Sequence, residues 1–165
     1  MCLRFGPFHC DRFASDSTAL LPRFNAMFWS ADCWFVDCFA RSWSGFSNWC
    51  HPNPRDAGRV LEKVRKERVK AALLVPEWCG AVWWRQLCPD GRHLGPWVID
   101  WLVLPRDCFN RGQGNGLWNT DWPRTRLLVV QLDGNSVVVS SKARSYCLDI
   151  PVSASDSGFV CDCNE

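Results

Sequence analysis

The run Trp49-Cys50-His51-Pro52-Asn53-Pro54 is the densest chemistry in this chain. A polar side chain set among prolines, at the C-terminal end of a strand, sits where open α/β sheets place ligands. The prolines fix a rigid loop. Such a loop suits activation of an amine. An Asn or Asp ahead of two prolines accepts one proton of an exocyclic amino group, and a backbone carbonyl accepts the other. The nitrogen lone pair is then free to attack a sulfonium methyl, while an aromatic residue after the prolines stacks on the flipped base. The plainer reading of the same residues is a Pro-rich turn that starts a helix, with Pro54 in its first turn.

Other chemistry-bearing groups are sparser. Asp11 and Asp37 each close a strand-like run, but a two-metal nuclease site needs more carboxylates than these. The histidines, His9, His51 and His93, have no local partner spacing for a nucleophile and base. Gly112-Gln113-Gly114-Asn115-Gly116 has no Lys-Ser/Thr after it and reads as a turn-rich loop, not a phosphate loop. The eleven cysteines include no C-x-x-C pair, so zinc is disfavoured and most should be small buried hydrophobes. Residues 59–70 hold six basic and two acidic groups, net +4. Arg59, Lys63, Arg65, Lys66, Arg68 and Lys70 are therefore a candidate nucleic-acid face. The simpler alternative is a solvated helix face, in part neutralised by Glu62–Lys66.

These groups need elements to hold them. Phe8–Phe13 reads as a short strand, and Trp34–Phe39 as another short apolar element. Val60, Leu61, Val64 and Val69 predict an amphipathic helix over about 55–70. Ala71–Val75 follows, apolar and stopped by Pro76, and reads as a buried strand. Strand, Pro-rich loop, helix and buried strand make a βαβ unit over 47–75 and an α/β class. Ala81–Leu87 reads as a short helix and Trp97–Leu104 as a strand. Leu127–Leu132 turns at Asp133-Gly134-Asn135 into Val137-Val138-Val139, an expected antiparallel hairpin at the edge of a mostly parallel sheet.

The 165 residues carry 19 basic and 17 acidic groups, with 47% apolar residues, which argues for one folded domain and against wholesale disorder. No apolar run approaches the ~20 residues of a membrane span. Without a signal-peptide pattern at Met1–Pro7, reduced thiols and an intracellular location are expected. Eleven Trp are more than a core needs, so some should sit at a binding surface. Residues 144–165 carry Arg144 against Asp149, Asp156, Asp162 and Glu165, net −3. The domain is accordingly placed at 1–142, with 143–165 an acidic, Ser-rich tail expected to be disordered.

An ordered series of short runs carries a resemblance. It comprises Asp11-Arg12-Phe13-Ala14-Ser15, Leu21-Pro22-Arg23-Phe24-Asn25, Val36-Asp37-Cys38-Phe39-Ala40 with Trp43, and the loop at 49–54. It continues with Arg59-Val60-Leu61, Ala72-Leu73-Leu74-Val75-Pro76-Glu77-Trp78, Trp83-Trp84, Leu87-Cys88-Pro89-Asp90-Gly91 and Gly112-x-Gly114-Asn115. Over about residues 6–133 the chain resembles a polyprotein domain of DIRS-like tyrosine-recombinase retrotransposons, itself similar to bacteriophage Dam-type DNA adenine-N6 methyltransferases. The resemblance implies a Rossmann-like methyltransferase-type sheet that binds S-adenosylmethionine, with Asp11 and Ala14 beside the cofactor. It also implies that His51, Pro52, Asn53 and Pro54 form the catalytic Asn-Pro-Pro-aromatic loop, that other polyprotein domains are partners, and that the element's life cycle reaches the nucleus. In that register His51 stands at the Asn position, Asn53 at the second proline and Pro54 at the aromatic, and no Gly-x-Gly follows the first strand. The expectation is a degenerate methyltransferase domain that contacts nucleic acid. The alternative is an active adenine-N6 methyltransferase.

Overall fold

The computed structural model describes residues 4–105 and 126–137. Seven strands and two α-helices make up these residues: β1 Cys10–Asp11, β2 Asn25–Ala26, β3 Phe35–Val36, β4 Ser47–Cys50, α1 Ala57–Glu67, β5 Lys70–Pro76, α2 Trp84–Leu87, β6 Val98–Val103 and β7 Leu127–Asp133. Five strands form one sheet in the order β1-β4-β5-β7-β6. β1, β4 and β5 are parallel neighbours. β7 is antiparallel to both β5 and β6, so it alone runs against the other four. β2 and β3 pair in parallel as a small second sheet. One parallel bridge, Asp11 to Phe24, joins that sheet to β1. The whole array reads β3-β2-β1-β4-β5-β7-β6.

The unit β4–α1–β5 is the expected βαβ piece, and its strands pair in parallel from Ser47–Lys70 to Cys50–Leu73. α1 forms because Ala57, Val60, Leu61 and Val64 recur at helical spacing and are all buried. A 3-10 turn over Pro54–Asp56 leads into it. β5 is buried from Ala71 through Pro76, as a strand covered on both faces must be. Leu73 and Val75 pack in the cluster that holds α1, with Leu128 and Val130 of β7. Ala72 and Leu74 face Phe5, Phe8, Trp49, Leu127 and Val129 on the other side. Side chains alternating between two covered faces fix the register of the central strands.

Two expectations are corrected. The helix stops at Glu67, because Arg68 takes the left-handed conformation (φ 53°) and its N–H reaches back to the Arg65 and Val64 carbonyls. Val69 then turns into the core and Lys70 opens β5. Arg68 and Lys70 therefore do not lie on the helix face. The edge hairpin is also revised. Both sides of β7 are taken, by β5 and by β6, so the antiparallel pair at the sheet edge is β6–β7, and Val137, the described residue of the expected return strand, stands exposed outside any strand. The interior position of β7 is matched by its side chains, since Leu127–Val130 and Leu132 are buried. Val138 and Val139, the glycine-rich loop at 112–116 and the tail at 143–165 lie outside the described residues.

The turn after β7 locks the helix end. Gly134 N–H donates to the Val69 carbonyl at 2.9 Å, and Asn135 Nδ2 donates to the Arg68 carbonyl at 2.7 Å. A Cβ on Gly134 would collide with the Val64 carbonyl oxygen and lie 2.8 Å from Arg68 Cα. Both are backbone atoms and cannot swing aside. Gly134→Ala should therefore destabilise the fold by roughly 1–3 kcal/mol, the ordinary range for overpacking, read as a lower urea midpoint at unchanged slope. An unchanged midpoint would show that the turn does not rest on the helix.

Candidate functional site

β1 and β4 run side by side, with Asp11 opposite Trp49, so the residues after Asp11 and those after Cys50 leave the sheet at the same edge. Arg12 N–H still donates to the Trp49 carbonyl at 2.9 Å, and Ala14 N–H to the Asn25 carbonyl at 3.1 Å. Asp11, Ala14 and His51–Pro54 thus share the C-terminal edge of the parallel half. This is also where the array divides. From β1 the chain goes outward one way to β2 and β3, and the other way to β4 and β5.

Each side chain there has a local task. Asp11 is buried, and its Oδ1 accepts the Phe13 N–H at 3.2 Å. Burial pushes its carboxyl above the usual aspartate range, although backbone hydrogen bonds from Phe13 and Leu20 oppose the shift. Phe13 packs edge-on against Phe39 and Trp43. Asn53 accepts the Arg55 N–H on Oδ1 at 3.0 Å, capping the turn that precedes α1. Pro52 and Pro54 are buried, while His51 retains exposed surface. The surrounding protein nonetheless disfavours charging its ring and lowers its pKa. Among residues 11–20 there is no glycine.

The basic residues of α1 are also placed individually. Arg59 lies 3.9 Å from the Phe39 ring centre and pairs with Asp56. Lys63 bonds Glu67 and the Phe39 carbonyl, and faces Trp43. Arg65 lies 5.6 Å from the Trp97 ring centre. These three charges cover aromatic surface, as long cationic side chains do. The i,i+4 ion pair on the helix is Lys63–Glu67, where spacing suggested Glu62–Lys66. Lys66 is exposed on the last turn, and Arg68 and Lys70 stand beyond it.

The sequence reading missed the group at the centre of this region. Arg12 is 1% exposed. Its Nε donates to Asn48 Oδ1 at 2.8 Å, and its NH1 to Asn25 Oδ1 at 2.9 Å. The second terminal nitrogen, NH2, has no hydrogen-bond partner among the described residues. The guanidinium lies 5.4 Å from the ring centres of both Trp43 and Phe46, and 5.9 Å from that of Trp34. Burial lowers its pKa. The neighbouring thiols do not neutralise it, since burial pushes Cys38 up to about 12 and Cys50 well above its ordinary value. The signal was available: a lone Arg between Asp11 and Phe13, in a strand otherwise fit for a core.

Among the described residues no cluster of three His, Cys, Asp or Glu is arranged to hold a metal ion. Among the same residues no helix is long and apolar enough to cross a membrane. No family model matches the chain, and neither a curated protein nor a solved structure matches it.

Removing Arg12 should damage the fold. Arg12→Met leaves the buried Asn48 Oδ1 without its donor and Asn25 Oδ1 with only the weak Cys10 thiol at 3.7 Å, at roughly 1–3 kcal/mol for an unsatisfied group, and Arg12→Lys should not rescue it because an ammonium cannot reproduce the planar fork. Urea unfolding checks both, and a lysine variant as stable as the parent would refute the role given to the fork. Asp11 gives a pH signature of its own. Its raised folded pKa means that the native state binds this proton more tightly than the unfolded chain. Stability is therefore lost as pH rises from the ordinary aspartate range through the folded value. Asp11→Asn should be relatively more stable at pH 7 than at pH 3, measured as the difference from the parent in urea midpoints.

Proposed function

We propose that this chain is a retroelement-derived domain of the methyltransferase type, kept as a folded scaffold and not as a methyl-transfer enzyme. The strand array supports the type. β3-β2-β1-β4-β5-β6 is the doubly wound order, with β7 inserted antiparallel between the last two strands. In that order ligands bind where the chain reverses, outside the carboxyl ends of β1 and β4. Asp11 and His51–Pro54 follow those two ends.

The observation that carries the scaffold reading is that the polar groups at this point serve the backbone. Asp11 accepts from Phe13, and Asn53 accepts from Arg55. No glycine opens the turn after β1, where Arg12 and Phe13 stand instead. Pro54 is packed inside and offers no ring to stack on a base. His51 has no amide oxygen to accept a proton from an exocyclic amine. These residues do not fit a cradle for S-adenosylmethionine.

Calorimetric titration of the whole chain with S-adenosylmethionine tests this reading. The expected result is no binding tighter than about 1 mM, a free energy no better than roughly −4 kcal/mol. The companion assay is methyl transfer from labelled cofactor to adenine-containing DNA, with none expected. Saturable binding that Asp11→Ala weakens, or transfer abolished by His51→Ala, would overturn the scaffold reading in favour of an active adenine-N6 methyltransferase.

A further inference from the structure

The opposite edge of the sheet carries a different kind of surface. A cleft of about 350 Å³ opens there, lined by His9, Ser44, Gly45, Ser47, Arg68 and Lys70 among others. His9 precedes β1, Ser47 begins β4 and Lys70 begins β5, so the cleft lies across the strand starts. We propose that this cleft binds the phosphodiester backbone of a nucleic acid. The proposal is independent of whether the chain binds a methyl donor.

Cations outnumber carboxylates around it, with Arg68 and Lys70 against Asp133. Arg68 is exposed, and no ion pair of its side chain is found among the described residues. The Lys70 side chain is 66% exposed and makes a long ion pair with Asp133 at 3.8 Å, a loose surface contact that leaves its ammonium open to solvent. Arg23, on the approach to β2, does not line the cleft; its guanidinium lies on the Trp34 and Phe46 rings, 4.6 and 5.1 Å from their centres. The other wall is small and polar. Ser44 and Ser47 bring hydroxyl groups. Gly45 has φ 78°, and nothing lies within 4 Å of where its Cβ would be. Single-point donors and cations strung along an edge suit successive phosphates, which position a nucleic acid without reading its sequence. The negative end of α1 does not oppose this, because the Arg68 and Val69 N–H groups turn back onto its last carbonyls.

Arg68 supplies the second argument. The left-handed position after a helix is the one that glycine fills without strain. The chain places a cation there and braces it, with Gly134 and Asn135 bonded to the carbonyls of Val69 and Arg68. The helix-face charges make a different claim, since Arg59, Lys63 and Arg65 are laid on aromatic rings. The two surfaces can be told apart by substitution.

The experiment is fluorescence anisotropy with a labelled single strand of about 20 nucleotides, titrated with the full chain over a range of salt. Arg68→Gly/Lys70→Gln should weaken binding about tenfold at low salt and reduce the slope of log affinity on log salt by about 1.4, roughly 0.7 per cation lost on a single strand. Arg59→Gln, which removes one charge from the helix face, should change affinity less than twofold by the same argument. Arg68→Gly alone should raise the unfolding midpoint while lowering affinity, a combination that a purely structural Arg68 would not produce. The proposal is overturned if the double variant binds as the parent does. It is equally overturned if inorganic phosphate at millimolar levels displaces the strand completely, or if polyglutamate of equal charge binds as tightly. Those results would assign the cleft to a small anion or an acidic peptide.

Discussion

A cation without a carboxylate holds the two sheets together. Arg12 leaves the end of β1 and bonds Asn48 on β4 and Asn25 on β2, and three aromatic rings from the 34–46 stretch surround it. β2 and β3 otherwise reach the main sheet through one bridge, a few backbone hydrogen bonds and the contacts of neighbouring loops. Asn48 extends the same network, donating to the Trp43, Phe46 and Lys70 carbonyls. One guanidinium thus stands at the junction of four strands and the long connection that covers them. A desolvated charge is costly, and aromatic faces and amide oxygens offset part of that cost. The geometry leaves little freedom to substitute it.

This junction also explains how so few helices suffice. Doubly wound sheets normally cover each face with helices. Here the connections from β1 to β2 and from β2 to β3 contain no α-helix. Phe13, Phe39 and Trp43 pack together against the core on the α1 side in place of a helix. Trp34 meets Phe46 edge-on beside them. The high Trp content thus finds a structural use, since Trp43, Trp49, Trp83, Trp84 and Trp97 are buried. Trp29 is the clear exception, standing in the exposed run Met27-Phe28-Trp29.

How far the sequence could be read followed the range of the interactions. α1 and β5 were legible because their burial pattern is set by near neighbours, at spacings of three and four or in one continuous apolar run. The parallel β4–β5 pair followed from the helix between them. β7 was assigned the wrong partner because an Asp-Gly turn next to a β-branched run favours a local hairpin. The strand instead pairs with segments 25 to 63 residues away. Arg12 was quoted as part of a motif but given no role, since its partners lie 13 and 36 residues distant. At the candidate site, the shared edge of Asp11 and His51–Pro54 followed from strand order. That Asn53 and Asp11 serve the backbone did not, because a cap and a turn bond depend on dihedral angles that residue types alone do not specify.

The position of β7 bears on how the chain is made. β5 and β6 leave the ribosome before the strand that lies between them, and among the described residues the sheet pairing of β6 waits for residues 127–133. Until those residues arrive, β5 presents a seven-residue edge whose side chains are almost wholly apolar. Unpaired edges of this kind template association with other nascent chains. A product ending short of Leu127 would lack the insert that separates the two strands. It would be expected to collect in aggregates and not as a smaller folded domain, because the apolar edge of β5 would stay unpaired.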